Sequence, residues 1–235
     1  MKDQSSPNMR RSARRHRAAR LAFLALLVLA ASTALQAKYK ARPWNIRALQ
    51  DYPSRLTSEG VTIAAEPLFR DDLAAQVFDK DDIVTRGIIP FAVAVFNDND
   101  YPVQVGVPTA ELICGDERYR TLTPGEVVTK IYQKSGKAVR LPQPIPGVSL
   151  GGGNPSPEAL KDFEQKFLAG KIVPPHKSAG GFLYFEISIK ALQPYLATSQ
   201  LYLPDVYRED DGSRLIFFEI EMKPAVEAVP PRAAK

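Results

Sequence analysis

Val61, Ile63 and Ala65 alternate with Thr62, Ala64 and Glu66, the two-residue period of a strand with one face toward a core. Pro67 closes that run. Residues 71–78 read as a short helix with Asp71 and Asp72 in its first turn and Leu73, Val77 and Phe78 on its apolar side. Residues 88–96 are apolar nearly throughout, which predicts a strand covered on both faces or lying centrally between layers. Asn97-Asp98-Asn99-Asp100 stops it with side chains that tolerate left-handed backbone and bond to their own main chain. A hairpin into residues 102–107 is therefore expected. A second hairpin is expected where Gly115-Asp116 separates residues 111–114 from 118–121.

Helical spacing takes over twice in the second half. Thr123 and Pro124 supply a cap and a first helical residue for a helix through Tyr132. Residues 135–155 form a loop by composition, with Pro142, Pro144, Pro146 and the triplet Gly151-Gly152-Gly153. Ser156-Pro157 opens another helix, whose Leu160, Phe163, Phe167 and Leu168 fall on one stripe ended by Gly170. After the Pro174-Pro175 break, Leu183, Phe185, Ile187 and Ile189 share one strand face, as do Leu201 and Leu203, and then Ile216, Phe218, Ile220 and Met222. Short strands with turn signals between them and no βαβ rhythm predict a mostly β protein, an antiparallel sandwich with a few inserted or capping helices.

The first 37 residues differ from the rest. Arg10, Arg11, Arg14, Arg15, Arg17 and Arg20 precede an uncharged apolar run from Leu21 to Ala37, the form of an export signal or of an N-terminal hydrophobic helix retained as an anchor. At about 1.5 Å per residue the run spans about 25 Å, short of a hydrocarbon core near 30 Å. Small residues at Ser32, Ala34 and Ala37 offer cleavage points. Cleaved or retained, the segment places the folded part outside the cytoplasm, periplasmic or otherwise extracytoplasmic, and a retained anchor would sit in the inner membrane with its arginines inside. The chain thus divides into a signal or anchor (1–37), a stalk or arm (38–59), a sandwich domain (60–223) with an inserted loop and helix (135–170), and a disordered tail (224–235).

Charge follows the same division. The formal net charge is +5, yet residues 1–37 hold seven bases and one acid, leaving 24 bases against 25 acids in residues 38–235. A folded part without basic excess argues against nucleic acid as a partner. The one cysteine, Cys114, makes no intramolecular disulfide and reads as a small apolar strand residue. The apolar core must hold the exported fold unaided.

Residues 172–185, Ile-Val-Pro-Pro-His-Lys-Ser-Ala-Gly-Gly-Phe-Leu-Tyr-Phe, followed by Leu201-Tyr202-Leu203-Pro204, resemble the late strands of immunoglobulin-like accessory domains in exported bacterial proteins. The resemblance implies an immunoglobulin-like β-sandwich and an envelope location. It implies no catalytic residues, because such domains share none.

Catalytic signatures are sparse. His16 lies in the leader and leaves His176 as the histidine of the folded part, with Ser178 two residues away and no nucleophile elbow. The triplet Gly151-Gly152-Gly153 lacks the Lys-Ser/Thr pair of a phosphate loop. Acidic runs at 79–82, 97–100 and 209–212 could supply some oxygens to calcium, but none has EF-hand spacing. Trp44, Tyr52, Phe182, Tyr184 and Tyr202 are the candidate interaction surface if exposed, and a second core layer if the Phe163/Phe167 helix covers them. These readings favour a non-catalytic envelope module that contacts another envelope protein and needs no cofactor. A ligand- or calcium-binding domain is the alternative, and a hydrolase assembled from distant carboxylates is the third reading.

Overall fold

The computed structural model describes residues 39–132, 156–215 and 217–230. Residues 1–38, where the signal or anchor is expected, residues 133–155, where the inserted loop is expected, Ile216 and residues 231–235 lie outside them. In chain order the elements are β1 (Arg55–Ser58), β2 (Val61–Pro67), α1 (Asp71–Ala74), β3 (Ile88–Asn97), β4 (Val103–Val105), β5 (Glu111–Cys114), β6 (Glu117–Arg120), α2 (Pro124–Tyr132), α3 (Pro157–Lys166), β7 (Ile172–Val173), β8 (Lys177–Glu186), α4 (Leu192–Leu196), β9 (Ser199–Leu203), β10 (Val206–Arg208), β11 (Phe218–Glu221) and α5 (Lys223–Glu227).

Every strand pair is antiparallel. One sheet runs β1-β2-β3-β8, a second β10-β4-β7 and a third β11-β9-β5-β6. The side chains of Ile89, Phe91, Val93 and Val95 on β3 meet Val103, Leu112, Leu201, Leu203, Phe218 and Ile220 of the two smaller sheets in the main core. That arrangement is mostly β, layered and consistent with a sandwich. The alternate residues of β3 are buried as well. Ile88 and Ala92 pack with Phe163, Val127, Ile131, Phe182 and Tyr184, and Ala94 packs with Tyr52. The continuous apolar run at 88–96 thus reflects burial on two faces.

Helix starts follow their signals. Thr123 and Glu126 form a reciprocal capping box, with Thr123 N donating to Glu126 Oε2 at 2.8 Å and Glu126 N donating to Thr123 Oγ1 at 3.3 Å. Ser156 Oγ accepts from Ala159 N at the start of α3. The second expected hairpin forms, pairing Cys114 with Glu117 across Gly115-Asp116, with Gly115 at φ 60°.

Other expectations are corrected. Residues 97–100 do not turn into a hairpin, because both edges of β3 are already taken by β2 and β8. The chain instead crosses to the second sheet, where β4 pairs with β10 and β7. Buried Asn97 ties this crossing, its side-chain amide reaching the carbonyl oxygens of Tyr101, Val173 and Pro174 at 2.7, 3.1 and 3.2 Å. Strand β8 begins at Lys177 and ends at Glu186, opposite the first residue of β3, so Ile189 falls beyond the ladder and is 37% exposed. The segment after Met222 is not disordered in its described part. Pro224 helps start α5, Ala225 and Val226 are buried, and Ala225 N donates to Ser54 Oγ at 3.0 Å. Residues 39–54 lie against the domain as an arm, while 55–58 join the sheet as β1.

Candidate functional site

The structure does not bring the five candidate aromatic residues together on one surface. Tyr52, Phe182 and Tyr184 are buried. Phe182 and Tyr184 lie on the face of β8 that α3 and the segment after α1 cover, with Phe182 5.2 Å and Tyr184 6.1 Å from the Phe78 ring centroid. These two belong to a second layer of core. Trp44 is half-buried, edge-on to Phe182 at 4.9 Å. Tyr202 is half-buried on the third sheet, 5.9 Å from exposed Phe217.

A crevice of about 700 Å³ opens where the arm crosses α3 and β8, lined among others by Arg42, Trp44, Asp162, Lys166, Lys171 and Gly180. Its size falls in the range of small-molecule sites. The paired glycines of β8 shape it. A Cβ on Gly180 would stand 2.5 Å from Val93 O and 3.0 Å from the Trp44 ring, and one on Gly181 would stand 2.6 Å from Lys166 O. Only glycine lets the indole and the end of α3 approach the strand so closely.

Charge in the crevice is organised by Asp162. Asp162 and Lys166 are one helical turn apart on α3, and both side chains are mostly buried. Lys166 Nζ donates to Asp162 Oδ1 and Oδ2 at 2.7 and 2.6 Å and to Val77 O at 2.9 Å, over the Phe78 ring. The phenol of Tyr39 donates to Asp162 Oδ2 at 2.6 Å. Burial, with Asp162 adding to it, pushes that phenol far above its ordinary range, and burial pulls the Lys166 ammonium down although Asp162 opposes it. Arg42 gives Nη2 to Asp79 at 3.1 Å. Lys171 Nζ donates to Gly180 O at 2.7 Å, and among the described residues no carboxylate pairs with it. Burial lowers its pKa.

These residues escaped the sequence reading, though two signals were present. Asp162 and Lys166 share a helix face with Ala159 and Phe163, where a charged pair implies burial, and Gly180-Gly181 inside a strand implies close approach.

The remaining candidates lie elsewhere. His176, at φ 54°, bonds Asp100 at 2.8 Å, with both side chains largely exposed. Glu59, at φ 48°, sits in the neighbouring turn, where Asn99 Nδ2 donates to its carbonyl at 2.9 Å. Cys114 is buried, and burial raises its thiol pKa. The acidic runs are largely taken up by cations: Asp79 pairs with Arg42, Asp82 with Lys80 and Arg86, and Asp210 and Asp211 with Arg208. Among the described residues no three acids, histidines or cysteines gather as a metal site, and no helix is long and apolar enough to cross a membrane. Compared with protein-family models, curated proteins and solved structures, the chain matches none.

Proposed function

We propose that this is an exported, non-catalytic envelope module with an immunoglobulin-like sandwich, and that it works by contacting another envelope protein. Export is supported by the arginine-rich leader and its uncharged apolar run, which serves as a signal peptide or an inner-membrane anchor. A non-catalytic role is supported by the spent state of the reactive groups. Asp162 is held by Tyr39 and Lys166, the Cys114 thiol is buried, and His176 and Asp100 stand on the open surface.

The observation that carries the partner reading is the contrast between the two edges of the four-stranded sheet. The β8 edge is closed: Leu122 N donates to Tyr184 O at 2.8 Å, and Leu168 N to Phe182 O at 3.1 Å. At the opposite edge no further strand is hydrogen-bonded to β1 among the described residues; β11 of the third sheet packs near it, and Arg55, Leu56 and Thr57 of β1 are exposed. Such an edge accepts an added strand from a partner. A photocrosslinking residue at Leu56, expressed in the native cell, should yield a discrete adduct with one envelope protein. The same probe at Ile189, exposed but off this edge, should not. No adduct from a folded Leu56 variant, or identical adducts from both positions, would remove the reading. Sequencing the amino terminus of the mature protein decides between cleavage and anchoring.

A further inference from the structure

The crevice under the arm has a charge pattern that the partner reading does not use. Its three lining cations, Arg42, Lys166 and Lys171, face one lining carboxylate, Asp162. Lys166 is spent, since its donors go to both oxygens of Asp162 and to Val77 O. Asp162 is spent as well, holding Lys166 and Tyr39. Among the described residues the open cationic donors are therefore Lys171, which is bonded to the Gly180 carbonyl, and the part of the Arg42 guanidinium that Asp79 leaves free.

A half-buried ammonium without a counter-charge lowers the stability of the fold that holds it. Such a group is commonly kept where function needs it. Beside these cations stands the half-buried indole of Trp44, held against β8 by the glycine at 180. Cationic donors next to an aromatic wall, in a cavity of about 700 Å³, suit a ligand with an anionic end and a flat apolar body.

We propose that the crevice binds a small organic anion, a carboxylate or phosphate ester bearing a planar apolar group, with Lys171 and Arg42 meeting the charge and Trp44 the planar group. The inference stands independently of the partner contacted through β1.

Trp44 is the single tryptophan of the chain, so its emission reports directly on the crevice. Titrating the folded protein with phenyl phosphate and with benzoate should change that emission saturably for at least one of them. Inorganic phosphate should bind about tenfold more weakly or worse, lacking the planar part. Lys171→Met should weaken the organic anion by about tenfold or more, the scale of one lost charge-assisted bond, and should flatten the salt dependence of binding. The same variant should unfold at a temperature about 2 °C higher, because it removes a half-buried charge that has no carboxylate partner among the described residues. A lysine that merely supports the fold would lower that temperature. Arg42→Gln should weaken binding with the fold intact, and Lys130→Met, which alters a surface ion pair on α2, should leave binding unchanged. The proposal is overturned by a lack of saturable response to both organic probes, by equal affinity for inorganic phosphate, or by unaltered binding in both Lys171→Met and Arg42→Gln.

Discussion

The two faces of the four-stranded sheet are both covered over most of β2, β3 and β8 but are sealed differently. One face, with Val61, Ile63, Ile89, Val93, Val95 and Leu183, is mainly aliphatic and meets two other sheets. The other is richer in rings: Phe182, Tyr184, Phe78 and Phe163 stack or meet edge-on under the short helices, and Trp44 and Tyr52 seal it from the arm. Sheets cover the first face with regular rows of side chains. Helices and an irregular arm cannot tile the second so evenly, and the crevice with its Asp162–Lys166 pair lies where their coverage is incomplete. The face that is harder to cover is the one that holds polar chemistry.

This comparison breaks if the second face is dispensable. Phe182→Ala should cost about 3–5 kcal/mol in denaturant unfolding, as much as Phe91→Ala on the first face, because both side chains are fully buried. A loss below about 0.5 kcal/mol would mean that Phe182 is a surface residue. Asp162→Ala leaves Lys166 buried and unpaired, with an expected loss of about 3 kcal/mol by the same measurement. Asp162→Ala and Lys166→Met combined should recover part of it, since the stranded charge is gone.

Smaller effects sharpen the comparison at the rim. Glu126 accepts from Arg120 Nη2 at 2.7 Å and from Thr123 N, and these bonds hold its carboxyl down to about 2. A folded value below the unfolded one means that its stabilisation is complete above about pH 4.5 and is lost as pH falls toward 2. Its partial exposure limits the effect to about 0.5–1 kcal/mol. Glu126→Gln should remove that much at pH 7 and flatten the acid limb of stability against pH. Ile189→Ser should change stability by no more than about 0.5 kcal/mol, since the residue lies past the end of β8.

Legibility from sequence followed locality. The apolar run at 88–96 announced a strand buried on both faces, and Thr123, Ser156 and Gly115-Asp116 marked two helix starts and a turn through bonds made within a few residues. Which ring-bearing face is covered was not local. Phe182 and Tyr184 are covered by α3 and by Phe78 near α1, and Tyr52 closes over Ala64 and Ala94, contacts between segments far apart in the chain. The sequence offered burial under the Phe163/Phe167 helix as one of two alternatives, and neither periodicity nor composition could choose between them. The hairpin at 97–100 misled for the same reason, since turn chemistry cannot tell that both edges of the preceding strand are occupied.

The most direct test of the account is equilibrium unfolding followed at once by Trp44 emission and by far-ultraviolet circular dichroism. Arm, helices and sheets forming one cooperative unit predict that the two transitions coincide in midpoint and steepness. A Trp44 signal that is solvent-like from the outset, or that is lost well before the β structure, would show that the arm does not seal the second face and would contradict the account.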